Sequence, residues 1–208
     1  MSTVQQATHY VRGRVVEVTD NAYQGQQDYE DIPVGKQTVR VELRSGKYRG
    51  QVYELIKAAF ATAEHADGNE QDLVEALRLG EAFIPELSLV AEAEDGIVGH
   101  ILFTKAEAGG ETVLALAPLS VRPGWQRRGV GSALMAEGHR RARELGYGYS
   151  TVLGSTEYYP RAGYIPAQEL GIAAPEGIPA ENLMAVKLRE DAPPVKGTLV
   201  YAREFGVG

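Results

Sequence analysis

Residues 111 to 153 constrain the fold more than any other stretch of this chain. Residues 111–121 (ETVLALAPLSV) read as a strand, 129–145 as a helix and 148–153 (GYSTVL) as a second strand. On the helix, Val130, Ala133, Leu134, Ala142 and Leu145 fall on one side, and Gly146 follows as a C-cap. A strand, a helix and a strand in that order form a crossover unit. Its strands must run parallel and its connection right-handed.

The flanking segments read as a different kind of sheet. Residues 87–92 (LSLVAE) and 97–106 (IVGHILFTKA) are strand-like and joined by Glu94-Asp95-Gly96, and Gly109-Gly110 leads into 111–121. Such pairs are hairpin turns, so these runs form an antiparallel meander. Upstream, 39–43 (VRVEL) alternates as a strand, while 48–64 and 69–79 carry apolar residues at helical spacing, with Gly80 ending the second. Downstream come a short helix near 157–162 followed by Gly163, a strand at 182–189, the break Pro193-Pro194 and a strand-like run at 197–202. The expected fold is α/β, with a single mixed, mostly antiparallel sheet and helices on both faces. Residues 1–35 read as an extension, either an arm or an added edge strand, because only 12–18 (RGRVVEV) alternates and 21–31 is polar. Residues 36–208 are the expected main domain.

Composition excludes several chemistries. The 208 residues include no cysteine, which removes disulfides, thiolate metal sites and a Cys-linked acyl-enzyme. The formal net charge of −7 opposes nucleic acid and anionic membranes, so neither is an expected partner. No apolar run approaches the roughly 20 residues that span a bilayer, and residues 1–13 lack a signal-peptide core, so a cytoplasmic protein is expected. No set of His and carboxylates has metal-ligand spacing, and no metal is expected.

The loop between strand and helix carries the sharpest motif: Val121-Arg122-Pro123-Gly124-Trp125-Gln126-Arg127-Arg128-Gly129-Val130-Gly131-Ser132. Gly129 and Gly131 let the backbone pass close to a ligand. Successive amides from Arg127 to Ser132 can converge on an anion, reinforced by the helix N-terminus and by the arginines at the rim. Two glycines at a helix start would equally serve a tight turn; the strand before, the helix after and the arginines favour an anion site. No Gly-Lys-Ser/Thr ends the loop and Ser132-Ala133-Leu134 follow it, so neither a P-loop nor a dinucleotide fingerprint fits.

Here the chain resembles the GNAT superfamily of acetyl-CoA-dependent N-acetyltransferases. That family's signature, Gln/Arg-x-x-Gly-x-Gly/Ala, stands as Gln126-Arg127-Arg128-Gly129-Val130-Gly131. The likeness runs over about residues 39–204 and is greatest to a bacterial subgroup. It includes Leu73-Val74, Leu77-Arg78, Leu87-Ser88-Leu89-Val90-Ala91, Val98-Gly99-His100-Ile101-Leu102, Leu153-Gly154 and Tyr158-Tyr159-Pro160-Arg161-x-Gly163-Tyr164.

The resemblance implies acetyl-CoA as co-substrate and a primary amine as acceptor, on a small molecule or a peptide. Main-chain groups of Leu119, Ser120 and Val121 would pair with the pantetheine arm, and Gln126, Arg127, Arg128, Gly129, Val130, Gly131 and Ser132 would hold the pyrophosphate. The thioester would lie in a gap between strands 111–121 and 148–153. Tyr159, four residues before Gly163, would be the general acid to the thiolate, with Tyr158 as packing and Arg161 either at the phosphates or solvated. Tyr164 replaces the usual Phe. No carboxylate lies inside strand 111–121, only Glu111 at its start, and Ser155 stands near where relatives place a pantetheine-contacting Asn. The general base is therefore open. His65 and Glu70 are candidates on the amine side, His100 reads as structural, and His139, among Arg140, Arg141 and Arg143, reads as solvated surface. A non-catalytic acyl-CoA-binding sensor is the alternative, and residues 1–35 and 193–208 are candidates to mediate a homodimer.

Overall fold

A computed structural model describes residues 14–17, 29–34, 37–43, 48–61, 68–94 and 96–207, the first three stretches as backbone pairing only. Strands β1 (Arg14–Glu17), β2 (Tyr29–Val34) and β3 (Gln37–Leu43) precede helices α1 (Arg49–Phe60) and α2 (Glu70–Leu79). The meander follows as β4 (Phe83–Ala93), β5 (Gly96–Ala108) and β6 (Glu111–Val121). Helix α3 (Val130–Glu144) then leads to β7 (Tyr149–Leu153) and a 3-10 turn at Tyr159–Ala162. The chain ends with β8 (Ile165–Pro166), β9 (Ile172–Ala173), β10 (Leu183–Lys187) and β11 (Gly197–Val200).

The sheet order is β2-β3-β1-β4-β5-β6-β7-β10-β8, with β11 beside the end of β5 and β9 beside β11. The β6–β7 pair is parallel, as a crossover requires, while β4–β5, β5–β6 and β7–β10 are antiparallel. Strand β1 lies between β3, which it meets in parallel, and β4, which it meets antiparallel. The polar run before Pro33 contributes β2, an element its composition does not suggest. The 62–64 end of the expected first helix lies outside the described residues.

Side chains alternate along β4, β5 and β6 and build a core on both faces of the sheet. Leu89 and Ala91 pack with Leu134 and Met135 of α3, whereas Val90 between them packs with Ile56 of α1 and Leu77 of α2. The close seat of α3 on β5 depends on Gly138. A Cβ there would collide with the ring of Phe103 at Cε2 and come within 2.9 Å of Cζ, and Phe103 is fully buried. Gly138→Ala is therefore expected to destabilise the fold by about 1–3 kcal/mol despite the better helix propensity of Ala. Urea denaturation would read this as a lower midpoint at unchanged slope.

Two features of β6 prepare the site. Ile101 pairs with Leu119 and Phe103 with Leu116, so one residue of β5 faces two of β6, a bulge at Ala117 and Pro118. Pro118 also has no N–H to give to a ladder. Pairing with β7 stops at Leu116–Val152, while pairing with β5 continues to Val121. Beyond the bulge β6 follows β5 and leaves β7, opening the expected gap.

Candidate active site

The gap and the N-terminus of α3 sit at the same end of β6. Along 117–121 the main-chain N–H and C=O groups of every second residue point away from β5, toward the space β7 has left. Leu119 and Val121 pack on the α3 side, so Ser120, buried and register-paired with His100, faces the α1 and α2 side.

The loop that follows is tightly wound. Trp125 N–H donates to Arg122 O at 2.9 Å, and the Gln126 side-chain amide donates to Val121 O at 3.2 Å, tying the loop to the strand end. Arg127 has φ of 60° and Gly129 of 94°. A left-handed Arg is uncommon and marks a backbone shaped for something other than its own comfort. Gly129 is the N-cap of α3 and brings no side-chain cap, and the first helical bond is Ala133 N–H to Gly129 O at 2.9 Å. The amides of the first turn therefore keep their anion-binding capacity. Arg127 and Arg128 are exposed, the latter with its guanidinium 5.4 Å above the Trp125 ring, a cation–π contact that holds it beside the loop.

Behind this turn runs a pocket of about 210 Å³, lined by Ser132, Met135, Ala136 and His139 of α3 and by Tyr158, Arg161 and Ala162. The α3 residues fall at helical spacing on one stripe. The Tyr158 hydroxyl covers Gly131, where a Cβ would collide with it. Burial raises the Tyr158 pKa, while a hydrogen bond with the Ser132 side chain and the charge of Arg161 pull it back. Tyr158 packs against the core, as expected, and also turns its hydroxyl toward Gly131 and Ser132 at the start of α3.

Tyr159 packs beside the end of β7. Its ring packs over Gly154, just past β7, where a Cβ would lie 2.5 Å from Cε2. It meets Tyr158 edge to face at 5.3 Å and Tyr164 at 5.7 Å. Burial, followed by the neighbouring Tyr158, lifts the phenol pKa above its ordinary 10. The Ser155 hydroxyl accepts the amides of Glu157 and Tyr158, both at 3.2 Å, and so shapes the turn that precedes the 3-10 helix.

One expectation is overturned. His139 is not solvated surface: it is 7% exposed and its Nε2 lies 3.0 Å from the Tyr164 hydroxyl, which lies 2.8 Å from Ser150 Oγ. Its position on the Ser132–Met135–Ala136 stripe and the extra hydroxyl of Tyr164 were the available signals. The neighbouring arginines masked them, although Arg141 too is buried, against the buried Glu137 at 2.7 Å. His100 is fully buried in β5, its Nε2 3.4 Å from Ser88 Oγ, as a structural histidine would be. Glu111 is exposed at the start of β6, Glu70 opens α2, and His65 lies outside the described residues. Among the described residues no three His, Cys, Asp or Glu side chains gather as metal ligands, and no helix is long and apolar enough to cross a membrane.

Both buried histidines imply a pH effect. Burial, with Arg143 adding to it, lowers His139 to about 4, and burial, with Arg78 adding to it, lowers His100 well below 6.5. The unfolded chain binds these protons first, so stability is full above pH 6.5 and falls as pH drops toward 4. His139 alone accounts for on the order of 3 kcal/mol over that window. Urea unfolding at about pH 7 and about pH 4.5 should show the loss, with a smaller difference in His139→Gln.

A βαβ crossover opened by a bulge, with an uncapped glycine-turned helix N-terminus at its mouth, defines the acyl-CoA N-acyltransferase class. The sequence profile of the acetyltransferase (GNAT) family matches residues 50–164, over half of the chain, and the chain belongs to that family. It is 44% identical over 118 residues to the uncharacterized N-acetyltransferase YjhQ of Escherichia coli, covering 54% of this chain and 65% of that protein. It is 30% identical over 131 residues to the mycothiol acetyltransferase of Kineococcus radiotolerans, covering 60% of this chain and 42% of that protein. The chain thus spans less than two thirds of either relative. A GNAT family acetyltransferase from Brucella melitensis in complex with acetyl-CoA superposes with a TM-score of 0.66 at 26% identity, over 80% of this chain and 97% of that one. YhbS of E. coli in complex with CoA superposes at 0.71 and 22% identity, over 89% and 96%, and shows the shared fold.

Proposed function

We propose that this chain moves the acetyl group of acetyl-CoA to a primary amine by direct attack in a ternary complex. The observation that carries this reading is the uncapped N-terminus of α3 at the mouth of the β6–β7 gap. The amides of residues 127–132, with Arg127 and Arg128 beside them, hold the pyrophosphate, and Gln126 keeps the loop in shape. Main-chain groups of Leu119, Ser120 and Val121 pair with the pantetheine arm, which brings the thioester into the gap. Because α3 occupies one face of the sheet, the amine approaches from the α1 and α2 face.

The neutral amine nitrogen attacks the thioester carbonyl and loses a proton to water. Main-chain N–H groups of the splayed strand stabilise the oxyanion as it forms. The C–S bond breaks, and the Tyr159 hydroxyl gives its proton to the departing thiolate, to be reprotonated from solvent. Burial raises the pKa of this phenol, so it stays protonated at neutral pH and gives up its proton only as the C–S bond breaks beside it. The net charge of −7 mildly favours a cationic acceptor.

The test is thiol release from acetyl-CoA across a panel of small and peptide amines, beside thermal-shift titrations with CoA, ATP and NAD. Turnover with at least one amine and stabilisation by CoA are expected. Stabilisation by CoA without turnover would make this an acyl-CoA-binding sensor, and stabilisation by the nucleotides alone would reject the reading.

A further inference from the structure

The pairing of His139, Tyr164 and Ser150 has a use beyond packing. All three are buried, and they come from α3, from the residue after Gly163 and from β7. The Tyr164 hydroxyl lies between His139 Nε2 at 3.0 Å and Ser150 Oγ at 2.8 Å. A phenol carries one donor and can accept as well, so it satisfies both neighbours at once. Ring contacts of His139 with Phe103 at 6.0 Å and with Tyr164 at 5.4 Å hold the imidazole. Tyr164 in turn grips Tyr159 twice: ring edge to ring at 5.7 Å, and its backbone N–H donating to Tyr159 O at 3.4 Å. Tyr159 itself begins a four-residue 3-10 turn that has no side-chain cap bond. Such a turn is a poor anchor for a group that must meet a leaving atom within about half an ångström.

We propose that His139 and Ser150 act through the Tyr164 hydroxyl to position the Tyr159 phenol at the end of β7. These are positioning residues, and the inference rests on the reading of Tyr159 as the acid. A phenylalanine at 164 would fill the same space, so the two hydrogen bonds add orientation where packing is already supplied.

Tyr164→Phe, Tyr159→Phe and the double variant form the test, with thiol release at saturating amine and acetyl-CoA. Tyr164→Phe is expected to lower kcat by about tenfold, with KM for acetyl-CoA within about threefold, and to have no further effect once Tyr159 is Phe. His139→Gln, which can keep a polar contact to Tyr164, should retain more kcat than His139→Leu. An equal loss in both backgrounds means a general structural effect and overturns the proposal, as does a kcat within about twofold of wild type. A Tyr159→Phe variant as active as wild type removes the acid reading instead. An acceptor-free arm uses protein labelled with 13C at the tyrosine ring, the Tyr159 signal being assigned by its loss in Tyr159→Phe. That signal is expected to shift or broaden in Tyr164→Phe, and an unmoved signal overturns the positioning role whatever the turnover.

Discussion

Tyr159→Phe is expected to cut kcat by about 100-fold or more, with KM for acetyl-CoA within about threefold. The phenylalanine ring keeps the packing on Gly154 and Tyr164 but removes the only proton this side chain can give. An unprotonated alkyl thiolate is a poorer leaving group than a thiol, and the barrier rises by the lost proton transfer alone. Because burial lifts the phenol pKa above 10, kcat of the wild type should show no fall from loss of this acid up to about pH 9. Steady-state thiol release with the best amine of the panel reads both results. A kcat within about twofold of wild type would assign the proton to another donor, and the half-buried Tyr158 hydroxyl over Gly131 would be next in line.

Gly129→Val should all but abolish coenzyme binding, raising Kd for CoA by about 30- to 100-fold. Gly129 has φ of 94°, a region where a β-branched residue is a genuine outlier. Valine would have to pull the backbone away, and the amides of residues 127–132 would no longer converge. The loss of roughly 2–3 kcal/mol corresponds to that change in affinity. Free CoA at about 100 times its Kd stabilises a protein by about 2.7 kcal/mol, worth about 5–10 °C in Tm for a chain of this size. The variant should lose most of that shift at the same CoA concentration, measured against its own ligand-free Tm. A full coenzyme-induced shift in Gly129→Val would mean that the pyrophosphate is held elsewhere.

Segments with a strong repeat were legible. β4 through β7 and α3 sit where their apolar spacing and the Asp-Gly, Gly-Gly and Gly146 punctuation put them, most ends shifting by a few residues. The two-residue strands β8 and β9 are too short to carry a period, and β2 lies in a polar run. Nothing local places β1 between β3 and β4, because strand order is a choice among distant partners. The bulge was half-visible: Pro118 inside a strand pattern signals an interrupted ladder, yet not which partner is lost.

The same division holds at the site. The loop from Gln126 to Ser132 is a local device of contiguous amides, two glycines and a helix start, so a linear reading can single it out as a candidate anion site. The neighbours of His139 could not. Histidine among arginines on a helix looks solvated, and only the docking of α3 against β5, together with the return of the chain through Gly163, brings Tyr164 and Ser150 to it. Likewise, the adjacent Tyr158 and Tyr159 are chemically identical in the chain. One turn of 3-10 helix sends the first toward Gly131 and the second over Gly154. Short-range periodicity and turn chemistry are properties of neighbouring residues and survive in a linear reading. Which side chains meet depends on how separate elements pack, and that is settled only when the whole core closes.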